Sequence, residues 1–169
     1  MNDDVMSKEK LGTDTGGENA GEGSKVAKKP WNIEVDVVLT KGCPSPQFVL
    51  HTPLPILNGD IQFNNNHRPG FNITFNLIDE TGDGYTFGPQ SKKDDACWSQ
   101  AGSVCPSAPC DDVFKVKSIK DQGMTLEVYN DNPSPAIGPF QFNLRVTKDG
   151  GSNYCDLDPG GNDGNGPRS

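Results

Sequence analysis

The sequence has few histidines and few basic side chains, and it lacks any long apolar run. Two histidines and 15 lysines and arginines stand against 23 aspartates and glutamates, so the 169-residue chain has a formal net charge of -8. Nucleic-acid binding needs clustered lysine and arginine to neutralise phosphates, which disfavours a nucleic-acid partner. No apolar run approaches the roughly 18 residues that a membrane span needs. We therefore predict neither a nucleic-acid nor a membrane partner.

Sequence signals of catalysis are also scarce. The chain has no G-x-S-x-G sequence, which places the nucleophile in many serine hydrolases. No histidine follows His67, which excludes a blue-copper site, because such a site takes a histidine ligand after its cysteine. We predict a protein that is not an enzyme and that carries no cofactor.

Both ends of the chain lack the apolar periodicity of a folded element. Residues 1–29 contain no aromatic side chain, and residues 148–169 are rich in glycine, asparagine and aspartate. Such segments bury too little surface to offset the entropy of ordering, so both flanks are predicted to be flexible, disordered alone or ordered by a partner. Acids near the start, such as Asp3, Asp4 and Glu9, differ from a secretory signal. A cytoplasmic location is therefore predicted, with secretion by a signal-less route left open.

Strict alternation of apolar and polar residues dominates the block between the flanks. It is clearest in the segments that begin at Trp31, Phe71 and Phe140. Successive side chains of a strand point to opposite faces, so each segment has one apolar and one polar face. Shorter segments of the same kind are residues 47–52, 60–63, 85–87, 113–119 and 125–130.

These segments predict an all-β domain over residues 30–147. Seven or eight short strands, each with one apolar face, bury those faces most completely as two packed sheets. The predicted fold is an immunoglobulin-like antiparallel β-sandwich, with a small barrel as the second choice.

The longest irregular stretch of the domain is residues 88–112, predicted as a loop. It holds three of the five cysteines, Cys97, Cys105 and Cys110, and the other two are Cys43 and Cys155. Free thiols are the favoured interpretation, since no export signal is seen; disulfides that staple the loop and a thiolate metal site are the alternatives. The spacings lack the C-x₂-C pairs typical of zinc sites. An odd number leaves at least one cysteine unpaired in a monomer.

An acidic turn follows the segment that begins at Phe71. Asp79 and Asp83 are candidate calcium ligands, because residues 79–84 carry oxygen-bearing side chains at alternate positions. The twelfth position is Gln90 instead of the glutamate of an EF-hand loop. Aspartate, asparagine and glycine are common in turns without any metal, so plain turn chemistry is favoured over calcium binding.

Two aromatic side chains are candidates for stacking against a glycan. Trp98 lies in the irregular loop and Tyr85 in a short predicted strand. An exposed ring offers an apolar platform for a sugar. The alternative is that both rings pack into the core or under the loop.

Three segments resemble a known bacterial group. They are FQFNLRVTKDGGSNYCDLDPGGND, GFNITFNLIDETGDGYTF and LEVYNDN. Together they are similar to the DP-EP family of small β-sandwich proteins, with Asp158 and Pro159 as the Asp-Pro dipeptide. The resemblance covers roughly residues 30–161 and implies a bacterial origin and a sandwich fold. It implies no activity and no functional residues.

The function predicted from these observations is a non-enzymatic interaction or self-assembly module. An edge strand offers unpaired backbone groups, to which a partner strand or one of the polar flanks can add. A homo-oligomer formed through strand edges or flanks is one possible assembly. Metal binding through the loop cysteines and glycan binding are the alternatives.

Overall fold

The alternating segments form strands in the computed structural model, which describes residues 29–63, 69–131, 137–148 and 153–163. Within these ranges there are twelve strands: β1 Trp31–Lys41, β2 Gln47–His51, β3 Ile56–Leu57, β4 Asp60–Gln62, β5 Phe71–Asp79, β6 Tyr85–Phe87, β7 Cys97–Ala101, β8 Phe114–Lys120, β9 Thr125–Asn130, β10 Pro139–Lys148, β11 Tyr154–Leu157 and β12 Gly160–Asn162. Two 3₁₀ helices, Gln90–Ala96 and Asp121–Gly123, complete the described elements. No helix in these ranges has the length and apolar character needed to cross a membrane.

Sheet A has five strands in the order β2-β1-β5-β9-β8. Its strands β1 and β5 pair in parallel, from Trp31 opposite Phe71 to Leu39 opposite Asp79. The other neighbouring strands of this sheet pair antiparallel. Because residues of equal parity are paired, the apolar rows of β1 and β5 coincide on the inner face of the sheet.

Sheet B is built around β10. The strands β6, β7, β11 and β12 all pair with β10 in antiparallel fashion. On the outer side of β12, β4 adds in parallel and β3 then pairs antiparallel with β4. Buried apolar side chains from both sheets form one cluster between them, which confirms the predicted all-β sandwich.

Two details of the fold prediction are wrong. The described residues alone contain twelve strands, not seven or eight, because short strands such as β3 and β12 have no visible alternation. The sheets are also mixed instead of antiparallel, since β1 pairs with β5, and β4 with β12, in parallel. An alternating pattern is the same for either strand direction, so it does not reveal this pairing.

Six phenylalanines form the centre of the core. They are Phe63, Phe71, Phe75, Phe114, Phe140 and Phe142, each at most 1% exposed. The ring of Phe114 has four of the others as neighbours, with centroid separations from 4.9 to 6.4 Å. Phe114, the first residue of β8, thus packs against phenylalanines of both sheets.

A buried serine fixes the chain where it passes from sheet B to β8. Ser99 in β7 is fully buried, and its hydroxyl oxygen accepts hydrogen bonds from the backbone N–H groups of Val113 (3.2 Å) and Phe114 (2.7 Å). Buried N–H groups need such partners, because leaving one unpaired is costly. The start of β8 is therefore held from inside the sandwich.

The predicted boundary at residue 147 is wrong, because part of the C-terminal flank belongs to sheet B. β11 pairs with residues 144–147 of β10, and β12 pairs with residues 139–141. A Cβ on Gly161 would overlap the ring of Phe140, so the missing side chain permits the close approach of β12. The prediction of a flexible N-terminal flank over residues 1–29 lies outside the described residues, except for Lys29.

A disulfide ties the two sheets together at one corner. It joins Cys43, in the turn between β1 and β2, to Cys155 in β11. At the same corner the Tyr85 hydroxyl accepts a hydrogen bond from the backbone N–H of Cys43 at 3.0 Å. The favoured interpretation of free thiols is thus wrong for Cys43 and Cys155. The C-terminal end of the sandwich is covalently attached to the β2 corner.

Candidate interaction surface

The two aromatic rings proposed as glycan platforms are packed in the structure. Tyr85 is only 4% exposed, and its hydroxyl is engaged by the backbone of Cys43. Trp98 is 9% exposed and carries the guanidinium of Arg145 over its ring, 4.2 Å from the centroid. The same guanidinium lies 4.5 Å from the ring centroid of Tyr154. Neither Trp98 nor Tyr85 offers a bare face to a sugar.

The structure does not bring the three loop cysteines together. Cys97, Cys105 and Cys110 are free, with Cys97 buried and Cys105 exposed. Burial raises the pKa of the Cys97 thiol well above its usual value. Partial burial and the nearby Asp158 carboxylate raise the pKa of Cys105. Across the described ranges no group of three or more His, Cys, Asp or Glu side chains is arranged to hold a metal ion.

The candidate calcium ligand Asp79 organises a turn. One of its carboxylate oxygens accepts hydrogen bonds from the hydroxyl (2.6 Å) and the backbone N–H (3.0 Å) of Thr81. The other accepts from the backbone N–H groups of Gly84 and Tyr85, both at 2.9 Å. Asp83 instead forms an ion pair with Lys148 at 3.2 Å. Donor groups occupy both oxygens of Asp79, which supports the turn interpretation.

This turn also affects the ionisation of Asp79. Burial alone would raise the pKa of this carboxyl. The hydrogen bonds from Thr81, Tyr85 and Gly84 together outweigh burial and lower the pKa below its usual value, because they stabilise the carboxylate. Asp79 thereby helps to place Tyr85, whose hydroxyl holds the turn that leads into β2.

Strand β2 forms an open edge of sheet A. Among the described strands it pairs with β1 alone, so one side of its backbone faces away from the sheet. Phe48 and Leu50 are half-buried against the core, whereas Val49 points outward and is 52% exposed. The strand contains no lysine, arginine, aspartate or glutamate. It combines an accessible backbone with apolar surface on both faces.

An aliphatic row continues from this edge across the outer face of sheet A. Val49 is paired with Val38 of β1, and Val38 is paired with Ile78 of β5. Ile78 is 42% exposed and Val38 is half-buried. Side chains opposite one another on neighbouring strands lie roughly 5 Å apart, so these three form one apolar surface.

The other end of the same face is polar. The Lys117 ammonium donates to Oδ1 of Asn72 at 3.0 Å, and Nδ2 of Asn72 donates to Oδ1 of Asn32 at 3.0 Å. Glu34 and Thr74 occupy the next row, and these side chains line a shallow groove. Amide, carboxylate and hydroxyl groups are suited to hydrogen bonding with a hydroxyl-rich ligand.

The opposite edge of sheet A, β8, is protected. It carries three lysines, Lys115, Lys117 and Lys120. Its register against β9 shifts after Val116, as at a β-bulge. The ammonium of Lys93, from the 3₁₀ helix Gln90–Ala96, donates to the backbone oxygens of Val116 (3.0 Å) and Lys117 (3.1 Å). Charges, bulges and covering groups are the usual ways in which sheet edges are shielded from further pairing.

Sequence reasoning predicted exposed edges but missed the aliphatic row. Val38 and Ile78 each occupy an outward position that the alternation assigns to polar residues, and this departure was the available signal. Which outward residues become neighbours depends on the strand register. That register follows from tertiary pairing and not from a single segment.

No protein-family model matches this chain, and no curated protein is significantly similar to it. The relationship to the DP-EP family therefore stays a prediction.

Proposed function

We propose that this protein is a non-enzymatic interaction module that binds an extended strand at the β2 edge. The observation that carries the proposal is the difference between the two ends of sheet A. Lysines, a bulge in the edge strand itself and the Lys93 ammonium cover β8. Within the described residues β2 has no lysine and no such ammonium, and the register shift of its pairing, between Leu39 and Lys41, places the extra residue on β1 and not on β2. Addition of a strand to an open edge is a common mode of peptide recognition.

The apolar side chains around β2 support the same proposal. A strand added beside β2 would cover the remaining exposed surface of Phe48 and Leu50 on the inner face. On the outer face it would extend the aliphatic row from Val49. Backbone hydrogen bonds supply affinity in this mode, and side chains at alternate positions supply selectivity.

The proline pattern sets the length of the strand that can bind. Pro44 and Pro46 precede β2, and Pro53 and Pro55 follow it. Proline lacks the N–H group that a ladder requires, so pairing stops at both ends of the five-residue strand. The partner strand is therefore expected to contribute about five residues.

A synthetic peptide tests this function. The probe is acetyl-Thr-Val-Thr-Val-Thr-amide, an uncharged extended peptide, titrated into the isotope-labelled full chain and followed by backbone amide NMR shifts. The expected result is saturable shift changes in residues 47–51, with none in β8, and a dissociation constant of about 1 mM. The same peptide with proline at its centre is the matched control and should cause no change.

Two protein variants sharpen the test. Val49→Lys places a charge at the centre of the outer face of β2 and should weaken peptide binding about tenfold or more. Val104→Lys changes another exposed valine, 66% exposed and away from sheet A, and should bind as the unmodified chain does. Equal shift changes in β2 and β8, or none in β2, would contradict the proposal.

Glycan binding, the alternative function, would use a different surface from the one predicted. Because Trp98 and Tyr85 are packed, a sugar would bind in the polar groove beside Asn32 and Asn72. A glycan array without binding would remove this alternative. The metal alternative is tested by elemental analysis of protein purified without chelators.

The immunoglobulin-like topology, the bacterial origin, the absence of enzymatic activity and the cytoplasmic location stay predictions. The Cys43–Cys155 disulfide weighs against a reducing cytoplasm, since disulfides persist mainly in oxidising compartments.

A further inference from the structure

We infer that the strand bound at the β2 edge is β2 of a second copy of this chain, in a symmetric antiparallel pair centred on Val49. This inference rests on the proposed function of the β2 edge and identifies its partner. Most soluble homodimers have a two-fold axis, which brings the same surface patch of each copy together.

The sequence of β2 fits this symmetric register. With Val49 opposite Val49 of the second copy, Phe48 lies opposite Leu50, and Gln47 lies opposite His51. Phe48 and Leu50 belong to the inner, half-buried face, and Gln47, Val49 and His51 belong to the outer face. Each side chain therefore meets a side chain of its own kind and face. A shift by one residue would oppose inner and outer faces, which disfavours it.

The distribution of charge also favours a second copy at β2. The chain has a net charge of -8, so two copies repel each other over most approaches. Strand β2 contains no lysine, arginine, aspartate or glutamate, so pairing of β2 with β2 of a second copy brings no like charges together. A symmetric pair of β8 strands would instead bring lysines opposite lysines, such as Lys117 opposite Lys117 or Lys115 opposite Lys120, depending on the register. Among the two edges of sheet A, only β2 can pair with itself without this cost.

The aliphatic row gives the pair a second contact surface. In the symmetric register the row of Val38, Val49 and Ile78 meets the corresponding row of the second copy at Val49. The joined rows cross the outer face of one continuous sheet. Strand β2 has five residues, fewer than the roughly 20–30 residues that each partner contributes to a stable interface, so we expect a weak dimer with a dissociation constant of about 0.01–1 mM.

Analytical ultracentrifugation of the full chain tests the inference. The mass should rise from that of one chain towards that of two as the protein concentration increases from about 0.01 to about 1 mM. Raising the salt concentration from about 0.05 to about 0.5 M should strengthen association, because it screens the repulsion between acidic copies. Val49→Lys should weaken the dimer at least tenfold, whereas Val104→Lys should leave it unchanged.

Isotope-filtered NMR locates the contact. A mixture of ¹³C-labelled and unlabelled protein should give intermolecular contacts between the methyl groups of Val49 of both copies, and between the Phe48 ring and Leu50. The variant Gln47→Lys is a second disruptive change on the same face, for use if Val49→Lys impairs folding. Its lysine would lie beside His51 of the second copy and weaken the pair.

The outcomes separate this inference from the proposed function. A chain that binds the peptide at β2 but stays monomeric at about 1 mM overturns the inference alone. Absence of both peptide binding and dimerisation overturns both. A dimer that persists unchanged in Val49→Lys and Gln47→Lys forms elsewhere and overturns the inference. Slow amide exchange in β2 of a monomeric sample means that the edge is filled by another segment of the chain, which also overturns it.

Discussion

The two edges of sheet A end the same sheet in different ways. Strand β8 has three lysines, an extra residue of its own at the register shift against β9 and two backbone oxygens bound by the Lys93 ammonium, whereas the extra residue beside β2 lies on β1. Strand β2 has an uncharged sequence and an exposed Val49 that begins the aliphatic row. An open apolar edge is a hazard for aggregation, which natural proteins usually cover. Among the described strands this difference makes β2 the edge at which we propose that a further strand pairs.

The corners behind these edges show that β2 is not simply a poorly anchored strand. The start of β8 is held by the Ser99 hydroxyl and by the packed ring of Phe114. The turn that leads into β2 is held by the Cys43–Cys155 disulfide and by the Tyr85 hydroxyl. Both strands are anchored at their first residues. The two edges therefore differ in the side of each strand that faces away from sheet A. This separation allows each part to be tested independently.

Removal of the disulfide should have the largest effect. In the chain-entropy account, a cross-link that spans 112 residues stabilises the fold by roughly 4–5 kcal/mol, because it restricts the unfolded chain. We expect the double variant Cys43→Ala/Cys155→Ala to lose stability on the order of 4 kcal/mol in urea unfolding. Amide exchange should become faster in β2 more than in β8, since Cys43 lies in the turn before β2.

Two controls accompany this measurement. Cys105→Ala removes an exposed free thiol and should leave the free energy of unfolding within about 0.5 kcal/mol of the original. Treatment of the unmodified chain with a reductant should reproduce the loss seen in the double variant. Equal acceleration of exchange in β2 and β8 would mean that the two corners do not unfold independently.

A pH titration should distinguish the two ends of the sheet by the sign of their response. At the β8–β9 end, Asp163 is fully buried, and Asn130, which is paired with Phe114, donates to its Oδ1 at 2.9 Å. Burial raises the pKa of Asp163 to about 6, with the Asn130 hydrogen bond opposing this and Asp131 adding to it. Between about pH 4 and pH 6 the unfolded chain ionises first, so stability should fall as pH rises, by up to about 3 kcal/mol.

Variants of two aspartates test this sign. Urea unfolding at pH values from about 4 to about 7 should show that Asp163→Asn removes the fall in stability, because the amide does not ionise. Asp79 supports the β2 corner and has a lowered pKa, so its contribution is present above its ordinary pKa and is lost as pH falls through the lowered value. The cost of Asp79→Asn should therefore shrink only below about pH 4, so the urea unfolding series for this variant extends down to about pH 2. The same slope in both variants would refute the assignment.

The sequence was sufficient for the sandwich because its strongest strands bury one face each. The alternation in β1, β5 and β10 follows directly from the pleat, whatever the tertiary context. The strand β12 could not be predicted in this way, because its glycines show no alternation. Gly160 and Gly161 resemble a flexible tail, yet Gly161 lacks a side chain because the Phe140 ring occupies that space. Composition alone does not separate a mobile glycine from a closely packed one.

The candidate site was only partly predictable, for a related reason. Exposed edges follow from the fold class, since every open sheet has two. Which edge is open depends on Lys93, which reaches β8 from a segment more than twenty residues earlier in the sequence. The Cys43–Cys155 pairing likewise joins residues far apart in the chain. Contacts of this kind are set by tertiary packing, and single-segment patterns contain no trace of them.

The smallest expected effect concerns the protection of β8. Lys93→Ala removes two hydrogen bonds from an exposed ammonium, so the free energy of unfolding should change by less than about 1 kcal/mol. Lys92→Ala, which removes the ion pair between the exposed Lys92 and the half-buried Asp95, is the matched control. The informative variant combines Lys93→Ala with Lys115→Thr and Lys117→Thr, which leaves Lys120, paired with Glu127, as the one charged residue of β8. If side-chain protection is what closes β8, the uncharged peptide should then shift amides of β8, although less strongly than those of β2 because the bulge remains. A folded triple variant without such shifts would show that the bulge and Lys120 are enough to close this edge.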